Sequence, residues 1–174
     1  MSTIATKDPG MTAKLNRSRN DLPLQKRQEM VSLLNQRLAE VIDVGLQSKQ
    51  AHWNVKGPNF VGLHELFDRV SEQFGEFSDE IAERAVALGG TACGTIQAIS
   101  EYSDLPAYPL ELSTGKGHVN KMAEALAMIG ERVRKAIETA TDAGDADTAD
   151  LFTGVSRGID KLLWMVEAHS QAAD

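Results

Sequence analysis

The feature that most constrains this chain is the spacing of its breaks between four long stretches of helical periodicity. The first stretch runs from about residue 23 to 55, with Val31, Leu34, Leu38, Val41, Ile42 and Leu46 on one face. Asp21 stands where a cap can start it, and Pro23 suits its first turn. The second runs from about 59 to 88 and repeats Leu63, Leu66, Phe67, Val70, Phe74, Phe77 and Ile81, ending at Gly89-Gly90. The third runs from about 113 to 141 with Val119, Met122, Leu126, Ile129, Val133 and Ile137. The fourth begins near Asp145 and carries Phe152, Val155, Ile159, Leu162 and Val166. A few residues join the first to the second and the third to the fourth, so each pair is an antiparallel hairpin. Between the hairpins lie about twenty-four residues, Gly89 to Leu112, enough to run the length of a bundle. The expected fold is therefore all-α: a ferritin-like four-helix bundle with one long crossover, in which Ile96 to Tyr102 is a candidate short helix.

Length and composition agree with one domain that has a real core. No apolar run approaches a bilayer span, and the polar start of the chain has no apolar signal-peptide core, so a membrane role is not expected. The single cysteine, Cys93, leaves no intrachain disulfide and fits a reducing compartment, so the expected location is cytoplasmic. Charge is unevenly spread. Residues 1–21 hold Lys7, Lys14, Arg17 and Arg19 against Asp8 and Asp21, a net of about +2, while the whole chain is −7, which leaves about −9 on the remainder. The expected organisation is a flexible basic tail over 1–21 and a bundle domain over 22–174.

Chemistry concentrates around the first turn. His52 precedes Gly57-Pro58 by about as much as His64 follows it, so the two face each other in a hairpin. Asp68 shares a helix face with His64, and Asp79 shares one with Glu83, each pair being four residues apart. Asp68 and Asp79 are eleven apart, close to three turns, so both pairs look out in nearly the same direction. Eleven residues nevertheless cover roughly 16 Å of axis, and His64 to Glu83 roughly 28 Å. One ion with ligand bonds of about 2 Å cannot bridge that. A second copy of the helix, antiparallel across a two-fold axis, would set His64 and Asp68 of one chain opposite Asp79 and Glu83 of the other. Imidazole and carboxylate donors together suit iron, zinc or manganese better than calcium or magnesium. A Glu-x-x-His motif is missing from the sequence, which weakens a di-iron centre inside a single bundle. Singly, each residue is more often a surface or core group than a ligand; their joint placement is what carries the reading.

The run from His52 to Asp68, followed by Asp79 to Gly90, strongly resembles Dps, the family of DNA-binding proteins from starved bacterial cells. The similarity continues through Tyr108-Pro109-Leu110, Val133 to Ile137 and Asp160 to Trp164, nearly all of the chain after the tail. The resemblance implies a shell of twelve subunits. It also implies ferrous iron oxidised at two-fold sites, with hydrogen peroxide the favoured oxidant, and ferric mineral stored inside. It implies His52, His64 and Asp68 as ligands from one subunit and Asp79 and Glu83 from its mate; the donor chemistry itself leaves zinc open as a substitute metal. Trp53 matches a tryptophan beside the centre that quenches radicals; its plain alternative is core packing. Asp145, Asp147 and Asp150 match acids that line a three-fold pore for ferrous ions, although acids here also complement a helix N-terminus.

The tail departs from the lysine-rich arms with which family members bind DNA. Lys7, Lys14, Arg17 and Arg19 in twelve copies would still give weak, salt-sensitive and sequence-independent phosphate contacts, and hence nucleoid association. Two functional classes stay open. One is an iron-oxidising, iron-storing shell, with or without DNA binding, that protects DNA. The other is a structural, DNA-coating nucleoid protein whose metal site is not catalytic.

Overall fold

The computed structural model describes residues 15–171. Among these described residues there are five helices: α1 Leu24–Asn54, α2 Phe60–Ala87, α3 Ile96–Tyr102, α4 Gly115–Ala143 and α5 Ala146–Glu167. α1 packs on α2 and α4 on α5, as two antiparallel hairpins. The hairpins meet through α1 against α4 and α2 against α5, and α3 lies on α1. The crossover carries the chain from the far end of α2 back to the α1–α2 turn. There Lys56 pairs with Thr114, and the Gly115 N–H donates to the Lys56 carbonyl at 3.1 Å. The fold is the expected ferritin-like bundle, with the short helix of the crossover in the expected place.

Its core is one continuous cluster in which Phe67, Phe74, Phe152, Leu34, Leu126 and Ile159 are fully buried. The apolar stripes of α4 and α5 face it as expected. α1 differs: Leu46 is 55% exposed, while Val44, Ser48 and Ala51 point inward. α1 is covered by α2, α4 and α3, and so broad a buried face cannot be read from one apolar stripe. Buried Ser48 is satisfied because its hydroxyl donates to the Phe67 carbonyl at 2.7 Å, tying α1 to α2.

The helix ends follow backbone chemistry. Asp21 does not cap α1, because the residue before the first helical one is Pro23 and no side chain caps that end. Instead the Arg27 guanidinium donates to the Leu22 and Leu88 carbonyls, each at 3.2 Å, and the Asn16 N–H donates to the Gly89 carbonyl at 2.7 Å. Residues just before α1 thus rest on the end of α2. α2 closes in a Schellman arrangement: Gly89, at φ +92°, donates to Val86, and Gly90 donates to Ala85. A side chain at Gly90 would meet Val31 at 2.5 Å, so this glycine pair both ends the helix and lets the crossover leave close to α1.

A charged knot fastens the crossover. Glu40 is fully buried and accepts from Arg37 at 2.9 Å and from Arg132 at 2.6 Å; Arg132 also pairs with Asp104 of the crossover. Burial pushes the Glu40 carboxyl up, and the two guanidiniums oppose that. Helices α1 and α4 and the crossover are therefore joined at one point, buried at Glu40 and open to solvent at Asp104.

Candidate metal centre

His52 lies in the last turn of α1 and His64 in the second turn of α2. The His52 Nδ1 is 2.7 Å from the His64 carbonyl, and the His64 Nδ1 is 2.9 Å from the His52 carbonyl. A carbonyl oxygen only accepts, so each Nδ1 is the protonated nitrogen. The two imidazoles stack, with ring centroids 3.7 Å apart and planes 20° apart. Each ring therefore keeps an Nε2 lone pair, the atom a metal needs, with a backbone carbonyl fixing tautomer and orientation. Both side chains are only partly buried, at the edge of the α1–α2 face.

Asp68, one turn after His64, is also partly exposed. It forms an ion pair with Lys49, one turn before His52 on α1. The hydrogen bond from Lys49 holds the Asp68 carboxyl below the usual carboxylate range; partial desolvation opposes this, while His52 and His64 pull the same way. Sequence reasoning missed Lys49, because an ammonium is not a metal ligand. The signal was the pairing of the hairpin itself: Lys49 stands opposite Asp68 much as His52 stands opposite His64.

Asp79 and Glu83 are exposed on α2, and among the described residues neither makes a side-chain hydrogen bond or ion pair. Three or more histidine, cysteine or acidic side chains that could hold a metal do not come together anywhere among the described residues of one chain. A single chain thus presents two separate part-sets, the stacked imidazoles with Asp68 nearby and the Asp79–Glu83 pair roughly 16 Å further along the axis.

The remaining candidates separate clearly. Trp53 is 67% exposed, so it does not pack into the core of its own chain, and Phe60 lies 5.1 Å from the His64 ring. Asp145 is 2% exposed and fully engaged: it accepts from Thr148 as the cap of α5 and from Arg84 at 2.6 Å. Asp147 and Asp150 are exposed, with Asp147 at 3.6 Å from Arg84. Arg17 and Arg19 are exposed, whereas Lys7 and Lys14 lie outside the described residues.

Residues 31–174 match the model of the ferritin-like domain. A DNA protection during starvation protein of Agrobacterium fabrum is 45% identical over 158 residues, which cover 91% of this chain and 98% of that protein. The chain belongs to the Dps family. Among solved structures, Mycobacterium smegmatis Dps superposes with a TM-score of 0.85 at 32% identity, covering 94% of this chain and 96% of that one. DpsC from Streptomyces coelicolor gives a TM-score of 0.88 at 26% identity over 92% and 94% of the two chains. Membership of the Dps family fits helices none of which, among the described residues, is long and apolar enough to cross a membrane.

Proposed function

We propose that this Dps-family chain builds a dodecameric shell that oxidises ferrous iron with hydrogen peroxide, stores the ferric product and so protects DNA. The observation that carries this reading is the reciprocal bonding of His52 and His64, which leaves two Nε2 donors oriented on one face. In this reading ferrous iron is the substrate. His52, His64 and Asp68 of one subunit bind it together with Asp79 and Glu83 of the two-fold mate. The carboxylates offset the charge gained as iron goes from ferrous to ferric. Peroxide reduced by two electrons from paired irons gives water rather than a hydroxyl radical. Asp147 and Asp150 then serve as the pore acids, with Asp145 holding the helix start and Arg84 in place. The basic residues of 1–21 supply sequence-independent DNA contacts in the cytoplasm and at the nucleoid.

A second reading, a DNA-coating protein with a non-catalytic metal site held by zinc, draws support from the two paired imidazoles, donors that suit zinc as well as iron. Anaerobic loading with ferrous iron followed by peroxide separates the two. Fast growth of ferric absorbance in a particle of roughly twelve chain masses supports the ferroxidase. Zinc retention without iron oxidation supports the alternative. Gel retardation at low and high salt, with and without residues 1–21, tests the tail: an iron-storing shell without DNA binding gives no retardation at any salt.

A further inference from the structure

Half-buried Tyr108 of the crossover and buried His118, near the start of α4, form a hydrogen-bonded pair outside the metal face. The phenol oxygen is 2.6 Å from the His118 Nδ1, with the rings nearly parallel at 15° and centroids 6.0 Å apart. His118 is 1% exposed, and its Nε2 lacks a hydrogen bond of good geometry. Burial pushes the Tyr108 phenol well above its usual range. Burial also pulls His118 below its usual value, against the nearby Leu112 and Asn54 carbonyls. At neutral pH the pair is thus a phenol and a neutral imidazole, and in the tautomer with the ring proton on Nε2 the O–H donates to Nδ1.

A phenol losing an electron becomes a very strong acid, so the electron leaves most readily where a base already holds the hydrogen bond. Tyr108 has that base at 2.6 Å. The pair also backs onto the metal face. The Phe67 ring is 6.3 Å from the His118 ring, and Phe67 is the chain neighbour of Asp68. The Asn54 carbonyl beside His118 belongs to the helical turn that holds His52.

We propose that Tyr108 is a one-electron donor to oxidants formed at the iron face, with the His118 Nδ1 receiving its phenolic proton. This rests on the ferroxidase reading. It acts when only one ferrous ion meets a peroxide: that ion becomes ferric and the peroxide divides into hydroxide and a hydroxyl radical. Tyr108 gives one electron, which reduces the radical to hydroxide, and its proton moves to His118. A neutral phenoxyl and an imidazolium remain. A second ferrous ion returns the electron, the imidazolium returns the proton, and the pair is restored. Overall, two ferrous ions are oxidised and one peroxide becomes two hydroxides, as in the paired reaction, with no radical released.

The chain has two tyrosines, so Tyr102→Phe leaves Tyr108 as the sole source of a phenoxyl signal. Peroxide is added to this variant with less than one ferrous ion per chain and the sample is freeze-quenched for electron paramagnetic resonance. A phenoxyl signal is expected. It should disappear with Tyr108→Phe and fall severalfold with His118→Asn, whose amide keeps a hydrogen-bond acceptor but is a far weaker base. In a second arm the metal-free protein is oxidised by a photogenerated ruthenium complex, with the same variants and the same readout. Normal iron oxidation without a Tyr108 signal overturns the inference and leaves the ferroxidase standing. An equal signal in His118→Asn in the metal-free arm overturns the proton-acceptor role. Failure of iron oxidation counts against the ferroxidase, and the metal-free arm still decides the pair. Circular dichroism of each variant establishes that the helices persist.

Discussion

His52 and His64 each direct Nδ1 at the other's backbone carbonyl, at 2.7 and 2.9 Å, so one hydrogen-bonded exchange both closes the α1–α2 turn and aims two Nε2 lone pairs outward. Replacing either ring with asparagine separates these roles, because the amide can donate to the carbonyl but offers nothing in place of Nε2. His52→Asn with His64→Asn should keep its helix content and lose no more than about 5 °C in thermal midpoint. Zinc affinity, measured by titration calorimetry, should fall by more than about tenfold. Unchanged affinity would place the metal elsewhere.

In the proposed centre Lys49 competes with metal for Asp68, its ion-pair partner. In Lys49→Met the carboxylate is released, and affinity for zinc or anaerobic ferrous iron should rise by about two- to fivefold, the scale of a half-exposed ion pair. A drop in affinity would mean that Lys49 orients Asp68 for the metal rather than withholding it.

His118 sets a pH dependence. Burial lowers its folded-state value, whereas the unfolded chain takes up this proton near pH 6.5. Between those limits the unfolded state binds more protons, so its stability contribution is full above about pH 6.5 and is lost as pH falls towards the lowered folded value. The thermal midpoint should therefore decline from about pH 7 to about pH 5. The decline should be shallower in His118→Asn; parallel curves for the two proteins would remove His118 as a cause.

Much of this was legible in the sequence because it is local. Four apolar periods and the one long break between Gly89 and Leu112 lead directly to two hairpins and a crossover. The symmetry of His52 and His64 about Gly57-Pro58 brought their rings together. What stayed hidden depends on partners distant in sequence. Leu46 reads as core until α3 and α4 take their places around α1. Asp145 reads as a pore acid or a helix-start acid, and its tie to Arg84 shows only once α2 lies beside α5. Tyr108 and His118 meet only once the crossover has found its path, and Glu40 is charged and yet fully buried because Arg37 and Arg132 converge on it. The separation of Asp79 and Glu83 from the imidazoles was visible in both, since it is fixed by helical rise.

The shared site is tested most directly by mixing two inactive proteins. One carries His52→Ala and His64→Ala, the other Asp79→Ala and Glu83→Ala. Each alone should form the particle but oxidise ferrous iron slowly. After dissociation and joint reassembly, a hybrid dimer holds one fully mutated site and one fully intact site. Stopped-flow ferric absorbance with peroxide should then recover to roughly a quarter of the wild-type rate if subunits pair at random, since half the dimers are hybrid and each has one of two sites intact. A mixture verified as hybrid by mass that stays as inactive as its parents would contradict a centre built from two chains.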